Sequence, residues 1–306
     1  MIPARDCFEP LTVMSAGIRL RAARFAGDPD EAARGVCVLL NGQTEFIEKY
    51  FEVIDELRGR GFAVASLDWR GQGGSARLIP HAPLKCHIDD FADYDADLEA
   101  FLAQVVAPMV RGHEQPIALA HSMGGHILLR YLSRNPGRIK AAAFSAPMLK
   151  FSTRGQPAWL VRLVTGVMCA AGHDREFVWS MAARDPLQMT FADQIVTSDA
   201  ARFQRTKDFL IRHPDLRLAG PTWGWVAAAY RSIAGLKPKG ITTPVLICGA
   251  GKDRVVVTEA TRRFTKSMPQ GQYLQIDGAE HEILMERDMF RLRFWEAVDG
   301  FIARQK

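Results

Sequence analysis

Residues 117–134 run from strand to turn to helix with no spacer. Ile117-Ala118-Leu119-Ala120 is a short continuous apolar run, His121-Ser122-Met123-Gly124 follows at once, and helical spacing takes over near Met123. A strand that feeds straight into a helix constrains the fold strongly, because the helix must lie back over the sheet and cover it. The same pattern recurs along the chain. Residues 36–40, 63–67, 141–144 and 245–248 are further apolar runs of the kind found in strands covered on both faces, and residues 47–60, 90–106 and 126–134 between them carry helical spacing. The expectation is an α/β fold with a mostly parallel central sheet flanked by helices. It is preceded by an antiparallel hairpin in which Thr12-Val13-Met14 and residues 18–22 flank Ala16-Gly17.

One stretch breaks the alternation. From residue 149 to residue 239 the pattern is helical or irregular and rich in Trp, Met and Arg, punctuated by Pro157, Pro186, Pro214 and Pro221, and the strand pattern resumes after Pro244. A chain of 306 residues suits one large core with an insertion better than two independent domains. The predicted organisation is therefore a first core part over residues 1–148, a helical cap over 149–240 and a second core part over 241–306. Within the insertion, Trp159, Leu160, Leu163, Val164, Val167 and Met168 follow helical spacing. Arg162 interrupts this stretch, which falls short of the roughly 20 apolar residues a spanning helix needs. A helix packed on its own core is the simpler expectation, and an interfacial or acyl-lining helix is the alternative.

Ser122 lies in the strand-to-helix turn, where its hydroxyl would be exposed at the carboxyl edge of the sheet. A helix N-cap is the simpler role for such a serine. Two downstream segments favour a chemical one: Gly249-Ala250-Gly251-Lys252-Asp253, just after an apolar run, and Gly278-Ala279-Glu280-His281-Glu282, just after residues 272–276. A serine hydroxyl is a weak nucleophile at neutral pH and needs a histidine base, which in turn needs a carboxylate to fix its tautomer and stabilise its charged form. His281 has the strand-end setting for the base. His121 and His126 are sequence neighbours of the serine, and His81, His87, His113, His173 and His213 have no comparable setting. Asp253 is the expected acid, coming from a separate strand end, and Asp277 is its rival through nearness to His281. Tetrahedral intermediates need N–H donors aimed at the developing oxyanion. Met123, directly after the serine, supplies one, and Gln43 in the loop Asn41-Gly42-Gln43-Thr44-Glu45 is expected to supply the other, because Gly42 allows close approach. An ordinary strand-to-helix turn is the plain alternative for that loop.

Two other clusters have simpler explanations. His87, Asp89, Asp90 and Asp93 precede or begin a long helix, where acids complement the dipole and cap free amides, so no metal is expected there. Residues 68–75 are glycine-rich but lack the Gly-Lys-Ser/Thr ending of a phosphate loop, and read as a sharp turn bordering the entrance to the site.

The net charge of +5 and isoelectric point near 9.0 favour approach to anionic lipid surfaces, yet the basic residues are scattered and form no block. No nucleic-acid partner is expected. The five cysteines, Cys7, Cys37, Cys86, Cys169 and Cys248, are widely spaced with no Cys-x-x-Cys pair, which argues against a disulfide framework or a zinc site; Cys37 and Cys248 read as buried apolar residues. The N-terminal residues lack a basic region followed by an apolar run, so the expected location is cytoplasmic, peripheral at most to the inner membrane surface.

Taken together, these motifs resemble the lysophospholipase and monoacylglycerol lipase branch of the α/β-hydrolases, which is sometimes grouped with serine aminopeptidases. Residues 41–50, 68–75, 91–102, 121–125, Ser145-Ala146-Pro147, 251–256 and 279–286 match in order and spacing, and residues 202–214 with Gly220-Pro221-Thr222-Trp223 are similar to lysophospholipase L2-type sequences. Asn41 stands where many members carry histidine, and Ala120 where they carry glycine. The resemblance implies the α/β-hydrolase fold with an inserted helical cap and a Ser122–His281–Asp253 triad acting without cofactor through an acyl-enzyme. It also implies a carboxylic ester of a single-chain acyl lipid as substrate, a lysophospholipid or monoacylglycerol, with transient membrane-surface contact. The alternatives are an aminopeptidase, for which Asp185, Asp193, Asp199 and Asp208 offer acids for a free amino terminus, a thioesterase, or a non-catalytic binding protein of the same fold.

Overall fold

A computed structural model describes residues 3–112, 114–153, 155–179 and 185–305. The N-terminal hairpin pairs β1 (Glu9–Ser15) with β2 (Ile18–Phe25), turned by Ala16 at φ 46° and Gly17 at φ 81°. Two successive left-handed residues make the turn whose twist matches the strands it joins. β3 (Val36–Leu40) and β4 (Ala63–Leu67) follow. β5 (Lys85–Cys86) is a short strand outside the main sheet, and β6 (Ile117–His121) and β7 (Ala142–Ser145) return to it. The order is β1-β2-β4-β3-β6-β7-β9-β10, completed by β9 (Val245–Ala250) and β10 (Gly271–Ile276), and it is parallel from β4 to β10.

The buried β3 shows why this sequence makes a two-sided sheet. Val36, Val38 and Leu40 face one core, with Tyr94, Leu98 and Ile127, while Cys37 and Leu39 face the other, with Ile54, Leu57 and Trp295. Each large aliphatic side chain removed from water contributes roughly 1.5–3 kcal/mol, so both faces of the strand hold the helices in place. The helices flanking the sheet are α1 (Phe51–Arg58), α2 (Ala92–Phe101), α3 (Ser122–Leu132), α7 (Thr258–Lys266), which packs on β9 and β10, and α8 (Asp288–Ala303). The predicted 47–60 helix opens as a 3-10 turn over Ile47–Tyr50, whose first N–H donates to Asp68 Oδ1 at 3.0 Å. The predicted 90–106 helix closes with one wider turn, Leu102–Val106, ahead of Pro108, which has no N–H to extend the ladder. α3 begins at Ser122 itself, one residue before the start near Met123 that the helical spacing predicts.

Between β7 and β9 lie α4 (Ala158–Ala170), α5 (Ala200–Arg212), β8 (Gly220–Pro221) and α6 (Trp223–Gly235). Asp199 Oδ1 caps α5 by accepting from Arg202 N at 2.9 Å, and Thr222 Oγ caps α6 by accepting from Trp225 N. β8 pairs with β5, tying this segment to the loop before α2. The simpler expectation for α4 fails. It packs against α6, but Thr165 is its one buried residue, and Trp159, Leu163 and Val167 are 67%, 55% and 57% exposed. The contact with α6 covers one stripe of α4 and leaves Trp159, Leu163 and Val167 in solvent. No helix among the described residues is long and apolar enough to cross a membrane.

The chain leaves β3 toward β4 on one side and returns to β6 on the other. In an open parallel sheet such a reversal separates the loops at the carboxyl ends of the two neighbouring strands and leaves a crevice there. The loops in question are residues 41–45 and the Ser122 turn.

Candidate active site

Ser122 follows the last residue of β6 and begins α3 with φ +47°, a left-handed conformation that a non-glycine residue adopts only when its surroundings enforce it. They do so by close packing. A Cβ on Gly124 would lie 2.4 Å from the Asn41 carbonyl oxygen and 2.8 Å from that of Leu40, and the Ser122 carbonyl accepts from Met148 N at 2.9 Å. Gly124 is thus the position where helix and loop leave no room for a side chain. The Ala120 methyl, by contrast, is accommodated within β6, whose neighbours there are Leu40 and Phe144.

His281 is carried on the loop after β10 and Asp253 on the loop after β9. His281 Nε2 lies 2.9 Å from Ser122 Oγ, and its Nδ1 lies 2.7 Å from Asp253 Oδ2. The other Asp253 oxygen accepts from Val255 N at 2.8 Å and Val256 N at 2.9 Å, which fixes the carboxylate plane. Ser122 is 8% exposed and His281 4% exposed. Burial works against charge on both His281 and Asp253, but each offsets it for the other: His281 is raised above the ordinary histidine value by the Asp253 carboxylate, and Asp253 is held below the ordinary aspartate value by His281 and the two N–H donors.

His121 and His126 separate from His281 on the same grounds. Burial pushes His121 down to about 4 and His126 down to about 3, leaving both neutral; His121 Nδ1 lies 3.0 Å from the Ser145 carbonyl oxygen and His126 Nε2 2.6 Å from Ser232 Oγ. His213 stacks on Phe209, and His113 lies outside the described residues. Asp277 is exposed and accepts from Gln275 Nε2.

The loop after β3 reaches the same edge. Asn41 Nδ2 donates to the Leu67 carbonyl and the Asn41 carbonyl accepts from Trp69 Nε1, both at 3.0 Å, so this asparagine ties the ends of β3 and β4 together. A Cβ on Gly42 would lie 3.1 Å from His121 Cδ2, which places the backbone that enters Gln43 against the Ser122 turn. Met123 is fully buried behind the serine.

Four residues beside these were not singled out in the sequence. Glu45 accepts from Gly42 N and, at 2.7 Å, from Tyr50 OH, and Lys49 Nζ bridges Glu45 and Glu282 at 2.7 Å each. Burial alone would raise Glu45, but Lys49 holds it well down, whereas Glu282 is raised by burial and by the neighbouring Glu45 charge. The fourth is Gln72, whose amide contacts both sides of Gln43. The signal for Gln72 was its place between Gly71 at φ 80° and Gly73 at φ 48° in the glycine-rich 68–75 loop. That loop props the 41–45 loop from beneath. The segment between β7 and β9 also touches the histidine loop: Glu282 N donates to the Val196 carbonyl, and Thr197 Oγ to the Met285 carbonyl, both at 2.7 Å.

The acids considered for an amino-terminus site are each held locally. Asp185 accepts from Leu187 N and faces Arg217, Asp193 accepts from Thr190, Asp199 caps α5 and pairs with Arg202, and Asp208 accepts from Gln204. Of the acidic cluster near α2, Asp90 accepts from Ala92 N and Asp93 faces Arg70. His87, Asp89 and Asp174 each place a potential ligand atom within 4.8 Å of the others and could hold a metal; His87 Nδ1 there lies 2.8 Å from Thr222 Oγ. A groove of about 890 Å³ between α1 and α5, lined by Glu48, Phe51, Arg205 and Phe209 among others, includes none of Ser122, His281 and Asp253.

A family model described as serine aminopeptidase, S33, matches residues 31–288. Lysophospholipase L2 from Escherichia coli (strain K12) is 34% identical over 299 residues, covering 94% of this chain and 85% of the relative. Monoacylglycerol lipase from Mycolicibacterium smegmatis is 24% identical over 270 residues, covering 84% and 85%. Among solved structures, a soluble variant of monoglyceride lipase from Saccharomyces cerevisiae in complex with a substrate analogue superposes with a TM-score of 0.75 at 18% identity, covering 98% of this chain and 97% of that one, which is a likeness of α/β-hydrolase fold.

Proposed function

This chain belongs to the serine aminopeptidase S33 family of α/β-hydrolases, and on that premise we propose that it hydrolyses single-chain acyl lipid esters, lysophospholipids or monoacylglycerols, through a Ser122–His281–Asp253 triad. The observation that carries the reading is the continuous relay from Ser122 Oγ through both nitrogens of His281 to Asp253. His281 takes the Ser122 proton as Oγ attacks the ester carbonyl, and Asp253 stabilises the imidazolium that forms. The N–H groups of Met123 and Gln43 receive the oxyanion. Collapse of the tetrahedral intermediate breaks the ester C–O bond, and His281 returns the proton to the departing alcohol. Water activated by the same histidine then attacks the acyl-serine and releases the fatty acid with Ser122 restored.

Two further observations support a lipid ester over an amino-terminal peptide. The four acids that could receive a free amino group each have a local partner. The exposed Trp159, Leu163 and Val167 face of α4, on a chain of net charge +5, suits transient contact with an anionic bilayer surface where such amphiphiles reside. In this reading the segment between β7 and β9 is a cap, and the enzyme works from the membrane surface without spanning it.

The test is hydrolysis of p-nitrophenyl acyl esters from acetate to palmitate, then of lysophosphatidylethanolamine and monooleoylglycerol, by wild type and Ser122→Ala. Activity on medium or long chains that is lost in Ser122→Ala is the expected result. Retained activity in the variant rejects the triad, and faster cleavage of aminoacyl amides than of esters rejects the substrate class.

A further inference from the structure

Gln72 makes a two-point contact that its sequence neighbourhood does not explain. Its Oε1 accepts from Thr44 N at 3.0 Å and its Nε2 donates to the Gly42 carbonyl at 3.0 Å, so one amide side chain holds the peptide groups on either side of Gln43. Gln72 is fully buried. The thiol of Cys86, 3.6 Å from Oε1, is a third group on the acceptor side, and burial keeps that thiol protonated by pushing it up to about 12. With donors at Oε1 and an acceptor at Nε2, the amide has one orientation only.

The segment that Gln72 grips needs such support. Thr44 stands at φ +63°, a left-handed conformation unfavourable for a β-branched residue, and Gly42 N is turned away from Gln43 to donate to Glu45. A glutamine with both amide atoms engaged can hold an acceptor and a donor at a fixed separation; leucine offers neither group and a glutamate carboxylate only the acceptor. We propose that Gln72 is a positioning residue for ester hydrolysis: it clamps the 42–44 loop in the conformation that aims the Gln43 N–H at the oxyanion. The inference rests on the hydrolase reading above. It assigns the glycine-rich 68–75 loop a part in transition-state stabilisation that does not require contact with substrate. A donor aimed at developing charge counts only in the transition state, so loosening the clamp lowers kcat and leaves substrate binding nearly unchanged.

The test compares wild type, Gln72→Leu and Gln72→Glu on p-nitrophenyl butyrate, with melting curves, labelling by a fluorophosphonate and inhibition by an alkyl trifluoromethyl ketone, whose serine adduct carries the oxyanion. Loss of a whole oxyanion donor costs about 100- to 1000-fold in kcat, so its misplacement is expected to cost at least about 30-fold, with KM within about threefold and a parallel loss of ketone affinity. Gln72→Glu keeps the side chain's shape should Gln72→Leu fail to fold, and is expected to lose at least as much because its carboxylate faces the Gly42 carbonyl. Folded variants that keep kcat within about threefold of wild type, or whose loss falls on KM with ketone affinity unchanged, overturn the clamp and leave the hydrolase reading intact. A wild type that neither cleaves the ester nor takes up the fluorophosphonate removes both.

Discussion

The Asp253 carboxylate reaches His281 Nδ1 at 2.7 Å although 28 positions separate the two residues, whereas Asp277, four positions from the histidine, turns its carboxylate to Gln275 at an exposed edge. Strand order explains the choice. β9 and β10 are parallel neighbours, so the loops leaving their carboxyl ends emerge side by side, and Asp253 and His281 occupy those two loops. Asp253→Asn should keep the fold but present the wrong hydrogen-bond partner to Nδ1, lowering kcat by about 1000- to 10,000-fold on p-nitrophenyl butyrate. Asp277→Asn should stay within about twofold, as for a surface change that removes no buried contact. Equal losses in the two variants would reject the assignment of the acid.

Activity should depend on pH through His281. Only the neutral imidazole can accept the Ser122 proton, and the Asp253 charge raises His281 above the ordinary histidine value, so kcat/KM should climb with pH through an inflection above 6.5. In Asp253→Asn that inflection should move down, because burial then acts on His281 without the opposing charge. A profile whose inflection is the same in both proteins would show that the carboxylate does not govern the base.

Stability carries an opposite signature. His121 and His126, held at about 4 and about 3 by burial, remain neutral in the folded chain while the unfolded chain binds protons below 6.5. The unfolded state then holds more protons, so stability falls as pH drops from 6.5 toward 4, by about 2 kcal/mol per histidine at pH 5. His281 has the reverse sign: its raised value adds stability that is full below 6.5 and is lost as pH rises through the folded value. Urea midpoints at pH 7 and pH 5 should show the net decline. His126→Gln should reduce the decline; an unchanged difference between the two midpoints would remove His126 as a cause.

The sheet, its flanking helices and the serine, acid and histidine candidates were legible because each rests on a local pattern: continuous apolar runs for β3, β6 and β9, and small residues where a strand turns into a helix. Gln72, Glu45, Lys49 and Glu282 were not, because their meaning depends on which loops the switch between β3 and β6 brings together. The exposure of α4 was also hidden, since helical spacing of apolar residues gives a face but not what covers it. Gly124 lies between these cases. Its smallness was readable, but its neighbour, the Asn41 carbonyl, is more than 80 residues away in sequence.

That contact makes Gly124→Ala informative. The added methyl would meet backbone oxygens of Asn41 and Leu40 at 2.4 and 2.8 Å, and backbone in the core cannot yield as a flexible side chain can. The expected cost is about 1–3 kcal/mol in stability from overpacking. Because the clash pushes on the 41–45 loop, kcat should fall by more than KM changes. Melting temperature and steady-state kinetics measured on the same preparation decide the matter, and an unchanged kcat in a destabilised protein would place the strain elsewhere.

α4 gives the last prediction. Trp159, Leu163 and Val167 recur four residues apart, so they lie along one helical face, and all three are more than half exposed. A tryptophan with two aliphatic neighbours on a short helix suits the boundary between headgroups and acyl chains, and the chain's positive charge adds attraction to an anionic surface that salt weakens. Trp159→Ser/Leu163→Ser/Val167→Ser should therefore lower co-sedimentation with phosphatidylglycerol vesicles at least about tenfold, since each apolar side chain withdrawn from the bilayer removes roughly 1.5–3 kcal/mol. The triad is untouched, so hydrolysis of p-nitrophenyl acetate should persist while hydrolysis of a lipid ester presented in vesicles falls in step with binding. Wild type that ignores vesicles at low salt would leave the exposed face without a membrane role, and a variant that loses both activities alike would show that α4 supports the site directly.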